Sequence, residues 1–259
     1  MGTILDTIIV QKRKEVELLR STFTIKDFEQ SVYFDKKTIS LKEKLENQFG
    51  VIAEFKRKSP SAGIINNELD PIEIGKIYEQ NGASAISVLT DSSFFGAKET
   101  DIIEIRKTVQ IPILRKDFII DEIQLFQAKA MGADIVLLIA EALSEQEILH
   151  FTILAQGLGL EVICEFHEKN QLNKISDLVD IIGVNNRNLK TQTTTIQTSL
   201  DVIDFLPKDK LIITESGIKS KEDLELLVEA GYNGALIGES ILKSSSIKSF
   251  INELNYSKA

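Results

Sequence analysis

The sequence predicts an α/β fold in which parallel strands alternate with helices and close into a (β/α)8 TIM barrel. Eight short apolar runs recur along the chain, and segments with helical periodicity separate them. The chain has 259 residues, close to the roughly 250 that such a barrel usually takes. Together these observations favour a single closed barrel.

Residues 1–48 precede the first strand and are expected to form an amphipathic helical extension. The apolar residues that indicate this are Ile4, Ile8, Val16, Leu18, Leu19, Phe28 and Leu41. No flexible linker separates this segment from the rest of the chain. We therefore predict one domain over residues 1–259, with the extension packed on the barrel.

The predicted strands cover residues 50–56, 84–90, 111–116, 134–139, 161–165, 181–184, 211–215 and 234–238. Between them, the clearest helices are expected at 120–131 and 219–231. Gly132 and Gly231 can serve as their C-caps. An open doubly wound sheet is the alternative arrangement, but no G-x-G-x-x-G loop follows the first strand.

The composition excludes several classes of protein. The chain is 43% hydrophobic and 27% charged, as is typical of globular proteins. No apolar run approaches the roughly 20 residues of a membrane span, and we expect no membrane partner. A formal charge of −9 argues against nucleic acid as a partner. Residues 1–11 lack the pattern of a secretory signal, so we predict a cytoplasmic protein.

Cysteine and histidine offer little chemistry in this sequence. The single cysteine, Cys164, rules out an internal disulfide and a cysteine-rich zinc site. His150 and His167 have no other histidine or cysteine at ligand spacing, and surface or packing roles are expected for both. The sequence does not fix the oligomeric state; we expect a monomer, with a homodimer as the alternative.

Charged and polar residues stand where the predicted strands end. Glu54 and Lys56 share one face of the first strand, because side chains in a strand alternate. Catalytic groups of this barrel lie at the C-terminal ends of strands, so the ends of all eight would meet at one mouth. The residues expected there are Glu54, Lys56, Lys116, Glu165, Asn185, Arg187, Glu215 and Ser216.

Any one of these residues could simply mark where the chain reaches water. Two lysines and three glutamates at equivalent strand ends would be an unusual way to solvate a rim, and they favour an acid-base site. A lysine there can protonate or polarise a carbonyl group, and a desolvated glutamate can act as a base. Lys116 could alternatively form a Schiff base with a substrate, and the residues alone leave both possibilities open.

Two glycine-containing turns follow the last two predicted strands, where this barrel frequently binds phosphate. Ser216 and Gly217 follow the seventh strand, and Gly238 and Glu239 follow the eighth, just before a short helix. The N–H groups at a helix start can bind phosphate, and the hydroxyl of Ser59 could assist. Each glycine alone could merely permit a tight bend, but the two turns together indicate a phosphorylated small-molecule substrate.

These residues belong to longer motifs, and with them the chain resembles the indole-3-glycerol-phosphate synthase family of tryptophan biosynthesis over essentially its whole length. The motifs are IAEFKRKSPS at 52–61, SVLTD at 87–91 with FFG at 94–96, PILRKDFI at 112–119, GVNNRNL at 183–189, TESGI at 214–218 and LIGES at 236–240. Their combination is highly specific for this family.

The resemblance implies a carbon-carbon lyase without metal or organic cofactor. Its reaction would close and decarboxylate 1-(2-carboxyphenylamino)-1-deoxyribulose 5-phosphate to indole-3-glycerol phosphate, with loss of CO₂ and water. Lys116 would be the general acid on the substrate carbonyl, and Glu165 the base for the dehydration. Lys56 would grip the substrate carboxylate or share the acid role, and Glu54 would hold the lysines.

The remaining roles implied by the resemblance concern binding. The intermediate would be oriented by Asn185, which we count with the catalytic residues, and by Arg187, Glu215 and Ser216. The phosphate would be held by Ser59, Gly217, Gly238 and the backbone N–H of Glu239. The anthranilate ring would be bounded by Leu89, Phe95, Phe118, Leu137 and Leu189. Two positions depart from the usual family pattern, Asn188 and Gln192.

Three alternative functions remain at this point. The first is an aldolase that forms a Schiff base with a phosphorylated sugar through Lys116. The second is an isomerase of phosphoribosyl intermediates, which the Lys116 and Glu165 pair does not favour. The third is a phosphate-binding barrel without turnover, and the joint presence of Glu54, Lys56, Lys116 and Glu165 argues against it.

Overall fold

A computed structural model describes residues 3–188, 191 and 193–254 of the chain. Its strands are β1 (Gly50–Phe55), β2 (Lys58–Ser59), β3 (Gly63–Ile64), β4 (Ala85–Leu89), β5 (Ile113–Lys116), β6 (Ile135–Ile139), β7 (Glu161–Phe166), β8 (Ile181–Asn185), β9 (Leu211–Glu215) and β10 (Gly234–Ile237). Eight of them pair in parallel as a closed barrel, in the order β1-β10-β9-β8-β7-β6-β5-β4. The predicted (β/α)8 barrel is therefore confirmed.

The helices alternate with these strands and cover the outside of the barrel. They are α1 (Ile4–Thr22), α2 (Ile25–Glu29), α3 (Lys42–Asn47), α4 (Pro71–Gln80), α5 (Ser92–Phe95), α6 (Asp101–Arg106), α7 (Ile123–Met131), α8 (Glu145–Gly157), α9 (Gln197–Val202), α10 (Lys221–Glu229), α11 (Glu239–Lys243) and α12 (Ile247–Leu254). Two 3-10 helices follow β7 and α9, Lys169–Lys174 and Ile203–Phe205.

Local side-chain contacts explain where the structure differs from the predicted elements. Helix α7 begins three residues later than expected, because the side chain of Asp121 accepts a hydrogen bond from the N–H of Ile123 (2.9 Å). The antiparallel hairpin of β2 and β3 was not predicted, because strands of two residues carry no periodicity.

The N-terminal extension is helical only in part. Residues 30–41 form turns and irregular structure between α2 and α3. The Ser31 hydroxyl donates to the carbonyl of Ala130 (2.6 Å), and the N–H of Ile39 donates to Asp134 (2.7 Å). The segment thus fastens to the turns that lead into the barrel strands, and tertiary contacts replace helical hydrogen bonds.

The interior of the barrel is filled by side chains from alternate strand positions. The buried residues of this cluster are Leu41, Leu45, Ile52, Ala85, Leu114, Ile135, Leu137, Ile139, Ile163, Ile181, Ile213 and Leu236. Leu41 and Leu45 come from the extension and close the N-terminal end of the barrel. A Cβ at Gly50 or Gly234 would collide with Leu45, so these two glycines make room for that closure.

Helix α1 lies against the opposite, C-terminal end. Its side chain Lys12 is buried and bridges the carboxylates of Asp91 (3.0 Å) and Asp117 (2.8 Å), which follow β4 and β5. Burial alone would lower the pKa of Lys12, but the charges of Asp117 and Asp91 outweigh it and raise that pKa. This ion pair fixes the extension to the rim of the barrel.

Lys12→Met is expected to destabilise the protein by about 3–5 kcal/mol, because it leaves the buried carboxylate of Asp91 without its cation and that of Asp117 with Arg115 alone. Urea denaturation of both proteins measures the difference. Lys14→Met, on an exposed position of the same helix, is the matched control and should change stability little. Adding Asp91→Asn to Lys12→Met should recover part of the loss. A loss below about 1 kcal/mol in Lys12→Met would contradict this reading.

Candidate active site

One cavity opens at the C-terminal ends of the barrel strands. The predicted site residues that line it are Glu54, Lys56, Ser59, Leu89, Phe95, Lys116, Phe118, Leu137, Glu165, Asn185, Arg187, Glu215, Ser216, Gly217, Gly238 and Glu239. Leu189 and Gln192 lie outside the described residues. The fold thus brings together residues that are far apart in the sequence, because nearly all of them stand at or after strand ends; Leu137 lies within β6.

The centre of the cavity holds Lys116 between two glutamates. Its ammonium group lies 2.7 Å from Oε2 of Glu165 and 3.4 Å from Oε2 of Glu215. The amide of Asn185 donates to Oε1 of Glu165 at 3.1 Å. The side chains of Lys116, Glu165 and Glu215 are extensively buried, so their charges act on one another with little screening.

The absence of a side chain at Gly183 makes room for one of these glutamates. Gly183 pairs with Glu165 in the sheet, and a Cβ there would lie 2.8 Å from Oε1 of Glu215. Oε1 of Glu215 is buried and has no hydrogen-bond partner among the described residues.

Burial and neighbouring charges act in opposite directions on Lys116. Burial would lower its pKa, but the carboxylates of Glu165, Glu215 and Glu54 raise it well above the usual value. Lys116 is therefore an ammonium ion at neutral pH. This form can donate a proton, whereas Schiff-base formation requires the free amine.

The two glutamates beside Lys116 differ in their ionisation. Burial opposes the charge of Glu165, but Lys116 and a hydrogen bond from His167 hold its pKa well below the usual value. Burial raises the pKa of Glu215 to about 8, and the attraction of Lys116 only partly offsets it. At neutral pH, Glu165 is therefore a carboxylate that can accept a proton, while Glu215 mostly carries one.

The raised pKa of Glu215 predicts a specific pH dependence of stability. Between the ordinary value of 4.5 and about 8, the folded protein binds more protons than the unfolded chain. The free energy of unfolding should therefore fall as pH rises through this range. Glu215→Gln lacks this contribution, so its stability relative to wild type should improve from pH 5 to pH 9.

Urea denaturation of both proteins at the two pH values checks this expectation. Glu229→Gln, at an exposed position of α10, is the matched control, and its difference from wild type should be nearly constant. If the free energy of unfolding of Glu215→Gln differs from that of wild type by the same amount at pH 5 and at pH 9, the raised pKa of Glu215 is contradicted.

Glu54 and Lys56 form an ion pair at the end of β1, beside this centre. A Cβ at Gly238 would overlap the carboxylate of Glu54, so the turn after β10 can approach closely only because this residue is glycine. The pair thus lies between the charged centre and the glycine turns.

The turn after β9 has an unusual backbone. Ser216 adopts a left-handed conformation with φ of 70°, and Gly217 follows with φ of 80°. Asn186, which sequence analysis missed, stabilises this turn by donating to the carbonyl of Ser216 (3.0 Å). Left-handed φ values in a residue other than glycine are uncommon and cluster at functional sites. This turn and the start of α11 both line the cavity.

Apolar residues form the opposite part of the cavity wall. The rings of Phe95 and Phe118 lie 6.2 Å apart between their centroids. Ile4, Leu5 and Ile8 of α1 complete this wall, and sequence analysis did not assign them to the site. Their helical spacing predicted a face packed on the barrel, but not that this face lines the cavity.

His167 also belongs to the site, although the sequence did not indicate it. We expected a surface or packing role, but the side chain is buried in the cavity wall, with Nε2 3.1 Å from Oε1 of Glu165. His150, in contrast, lies on the surface beside Glu122. The available signal was alternation, because His167 stands two positions after Glu165.

Other expectations concern features outside this centre. Asn188, one of the departures from the family pattern, accepts a hydrogen bond from the N–H of Thr191 at 3.0 Å.

Across the part of the chain that the structure describes, no group of three or more His, Cys, Asp or Glu side chains is arranged to hold a metal ion. Within the same residues, no helix is long and apolar enough to cross a membrane.

Comparison with known proteins shows the family of this chain. A family model described as indole-3-glycerol phosphate synthase matches residues 5–254. The chain is 44% identical over 245 residues to indole-3-glycerol phosphate synthase of Bacteroides thetaiotaomicron, covering 94% of both chains.

Two further relatives with the same description match at similar length. The protein of Bacillus cereus is 44% identical over 256 residues, covering 98% of both chains. That of Alkaliphilus metalliredigens is 39% identical over 254 residues, covering 97% of both chains. The chain belongs to the indole-3-glycerol phosphate synthase family.

Proposed function

We propose that the cavity at the C-terminal end of this barrel converts 1-(2-carboxyphenylamino)-1-deoxyribulose 5-phosphate into indole-3-glycerol phosphate, with Lys116 and Glu165 as the acid and the base. Family membership supports the reaction, which makes the protein a carboxy-lyase of tryptophan biosynthesis. The proposed roles of these two residues rest on one observation. The ammonium group of Lys116 lies 2.7 Å from the ionised carboxylate of Glu165 in a largely buried site.

The substrate has three groups that the cavity can bind separately. Its phosphate would lie at the glycine turns, against Gly217, the hydroxyl of Ser59 and the N–H groups of Gly238 and Glu239. Its aromatic ring would lie against the apolar wall of Phe95 and its neighbours. Leu89, Phe118 and Leu137 would extend this contact, since they line the same cavity.

The charged groups would orient the substrate between these ends. Lys56 would bind the carboxylate on the ring, and Glu54, which is paired with Lys56, would hold the ammonium in place. Arg187, Ser216 and the protonated Glu215 would bind the sugar hydroxyls, because a protonated carboxyl group can donate as well as accept a hydrogen bond.

Ring closure begins with the ketone of the substrate. Lys116 donates a proton to the carbonyl oxygen, so the carbonyl carbon becomes electrophilic and the ring carbon that bears the carboxylate attacks it. A carbon-carbon bond forms while the carbonyl π bond breaks. The bond to the carboxylate then breaks, CO₂ leaves, and its electron pair restores the aromatic ring.

Dehydration completes the indole. Glu165 removes a proton from the carbon next to the new hydroxyl group and passes it to the adjacent Lys116, which donates it to the hydroxyl as water leaves. Loss of CO₂ from a carboxylate consumes one proton, so Lys116 takes one proton from solvent in each turnover and becomes an ammonium ion again. Asn185 donates a hydrogen bond to Glu165 and would keep its carboxylate aimed at the substrate. The sum is substrate to indole-3-glycerol phosphate, CO₂ and water, with no net redox change.

The charge state of Lys116 bears on the alternative chemistry. An aldolase that acts through a Schiff base needs a lysine whose pKa is lowered. The surrounding carboxylates raise the pKa of Lys116 instead. The observations therefore favour acid catalysis at this residue. Borohydride reduction in the presence of substrate should leave no covalent adduct.

The proposal is tested by mixing purified protein with the substrate and following indole fluorescence. The sequence has no tryptophan, so the protein contributes little background. A signal that rises together with release of one CO₂ per indole is expected. Substrate binding without either product would contradict the proposal. A small phosphorylated molecule is then the only partner that we propose, and a monomeric, cytoplasmic state stays a prediction.

A further inference from the structure

We propose that His167 is a positioning residue, which holds the carboxylate of Glu165 in the orientation that the base requires. The inference rests on the proposed role of Glu165. It assigns a role to the histidine that the sequence placed outside the chemistry, and it is carried by the contacts on both sides of the imidazole ring.

The two oxygens of Glu165 have different neighbours. Oε2 lies 2.7 Å from the ammonium of Lys116. Oε1 accepts from the amide of Asn185 at 3.1 Å, and Nε2 of His167 lies at the same distance of 3.1 Å. An ionised carboxylate only accepts hydrogen bonds, so Nε2 must carry a proton. Oε1 is thus held by two donors, and Oε2 faces the acid and the substrate.

The other side of the ring is buried and polar. Nδ1 of His167 has no hydrogen-bond partner among the described residues, and Oε2 of Glu141 lies 3.7 Å away. A neutral ring therefore has no acceptor for a proton on Nδ1. This favours the tautomer that donates from Nε2 to Glu165.

Neighbouring groups fix the backbone at His167 and the carboxylate of Glu141. The side chain of Gln171 accepts from the backbone N–H of His167 at 2.9 Å and donates to Glu141 at 3.4 Å. Lys174 anchors the turn that carries Glu141 by donating to the carbonyls of Ala140 (3.0 Å) and Leu143 (3.2 Å). The imidazole therefore stands between two fixed carboxylates and has little freedom to rotate.

This arrangement has a consequence for catalysis. Without the donor at Nε2, only the amide of Asn185 holds Oε1, so the carboxylate of Glu165 can turn more readily and share both oxygens with Lys116. Its lone pairs would then point at the ammonium and away from the substrate carbon. His167 acts through Glu165, so its loss should slow the chemical step while leaving substrate binding nearly unchanged.

The test compares His167→Phe, His167→Asn and His167→Gln with the matched control His150→Phe, which replaces the surface histidine. We expect kcat to fall roughly tenfold in His167→Phe, as for loss of one hydrogen bond to a charged group, with KM changed less than about twofold. Glutamine can bring an amide donor to the place of Nε2 and should restore most of kcat. Asparagine is too short to place its amide there, so His167→Asn should keep the low kcat of His167→Phe.

The pH profile separates positioning from a merely structural role. The titratable groups around the ring are Glu165 and Glu141, and beyond Glu165 stand Lys116 and Glu215. Removing the donor should raise the pKa of Glu165, so the acid limb of kcat/KM should move to higher pH in His167→Phe and His167→Asn. A loss of folded protein would lower the amplitude of the profile without moving its limb.

The outcomes distinguish this inference from the proposed function on which it rests. If Glu165→Gln keeps the wild-type kcat, Glu165 is not the base and the proposed function is wrong in this respect. If Glu165→Gln is inactive but His167→Phe keeps the wild-type kcat and pH profile, only the positioning role fails. Equal rates in His167→Asn and His167→Gln would also overturn it.

Discussion

Lys116→Met is expected to lower kcat by about a thousandfold, the middle of the range for a positioned general acid. Methionine keeps the length and most of the volume of lysine but cannot donate a proton. It also leaves Glu165 without the ammonium group that lies 2.7 Å away. Both the protonation of the substrate carbonyl and the charge balance of the cavity are therefore lost.

Steady-state indole fluorescence measures this change, and Lys208→Met is its control because Lys208 is largely exposed. Substrate should still bind to Lys116→Met, since the phosphate and the ring have separate contacts. If Lys116→Met keeps kcat within about tenfold of wild type, the acid must be another group. Lys56 would then be the candidate, because it lines the same cavity.

Glu165→Gln is expected to lower kcat by about a hundredfold or more, because an amide cannot accept the proton that leaves during dehydration. The substitution also removes one of the negative charges that raise the pKa of Lys116. Part of the loss would therefore act through the acid. Glu165→Asp keeps the charge but withdraws the carboxylate by one methylene group, so its kcat should lie between those of Glu165→Gln and wild type.

Single-turnover measurements locate this defect, because ring closure precedes dehydration. Glu165→Gln should release CO₂ in a first turnover faster than it forms indole. Glu145→Gln, at an exposed position on α8, is the matched control and should behave like wild type. Equal rates of CO₂ release and indole formation in Glu165→Gln would contradict a role confined to dehydration.

The effects of the two substitutions should not add. Lys116 and Glu165 touch each other, and residues in direct contact usually show large coupling energies. The kcat of the double variant is therefore expected to lie within about threefold of the kcat of Lys116→Met.

Much of the barrel could be predicted because its signals are local. Alternating apolar residues and helical periodicity need only neighbouring residues, and they placed each barrel strand within about two residues of its observed bounds. The closed barrel then implied that Lys116, Glu165 and Glu215 meet, since all strands point the same way. The left-handed turn at Ser216 has no comparable signal, because serine rarely adopts that conformation.

The features that sequence analysis missed depend on contacts between distant parts of the chain. In the sequence, Lys12 resembles any other charged residue of an amphipathic helix. It is buried between Asp91 and Asp117 only because α1 docks on the barrel. His167 had no histidine or cysteine at ligand spacing in the sequence, and only the tertiary structure buries its ring between Glu165 and Glu141, which comes from the turn after β6.

The sequence by itself determined the order of strands and helices, the end of the barrel where chemistry occurs and the residue types available there. These follow from side-chain periodicity and chain direction, which are properties of short segments. The tertiary structure decided which groups are charged. Lys116, Glu165 and Glu215 have ordinary pKa values in an extended chain, and only their burial side by side leaves one a proton donor, one an acceptor and one protonated near neutral pH.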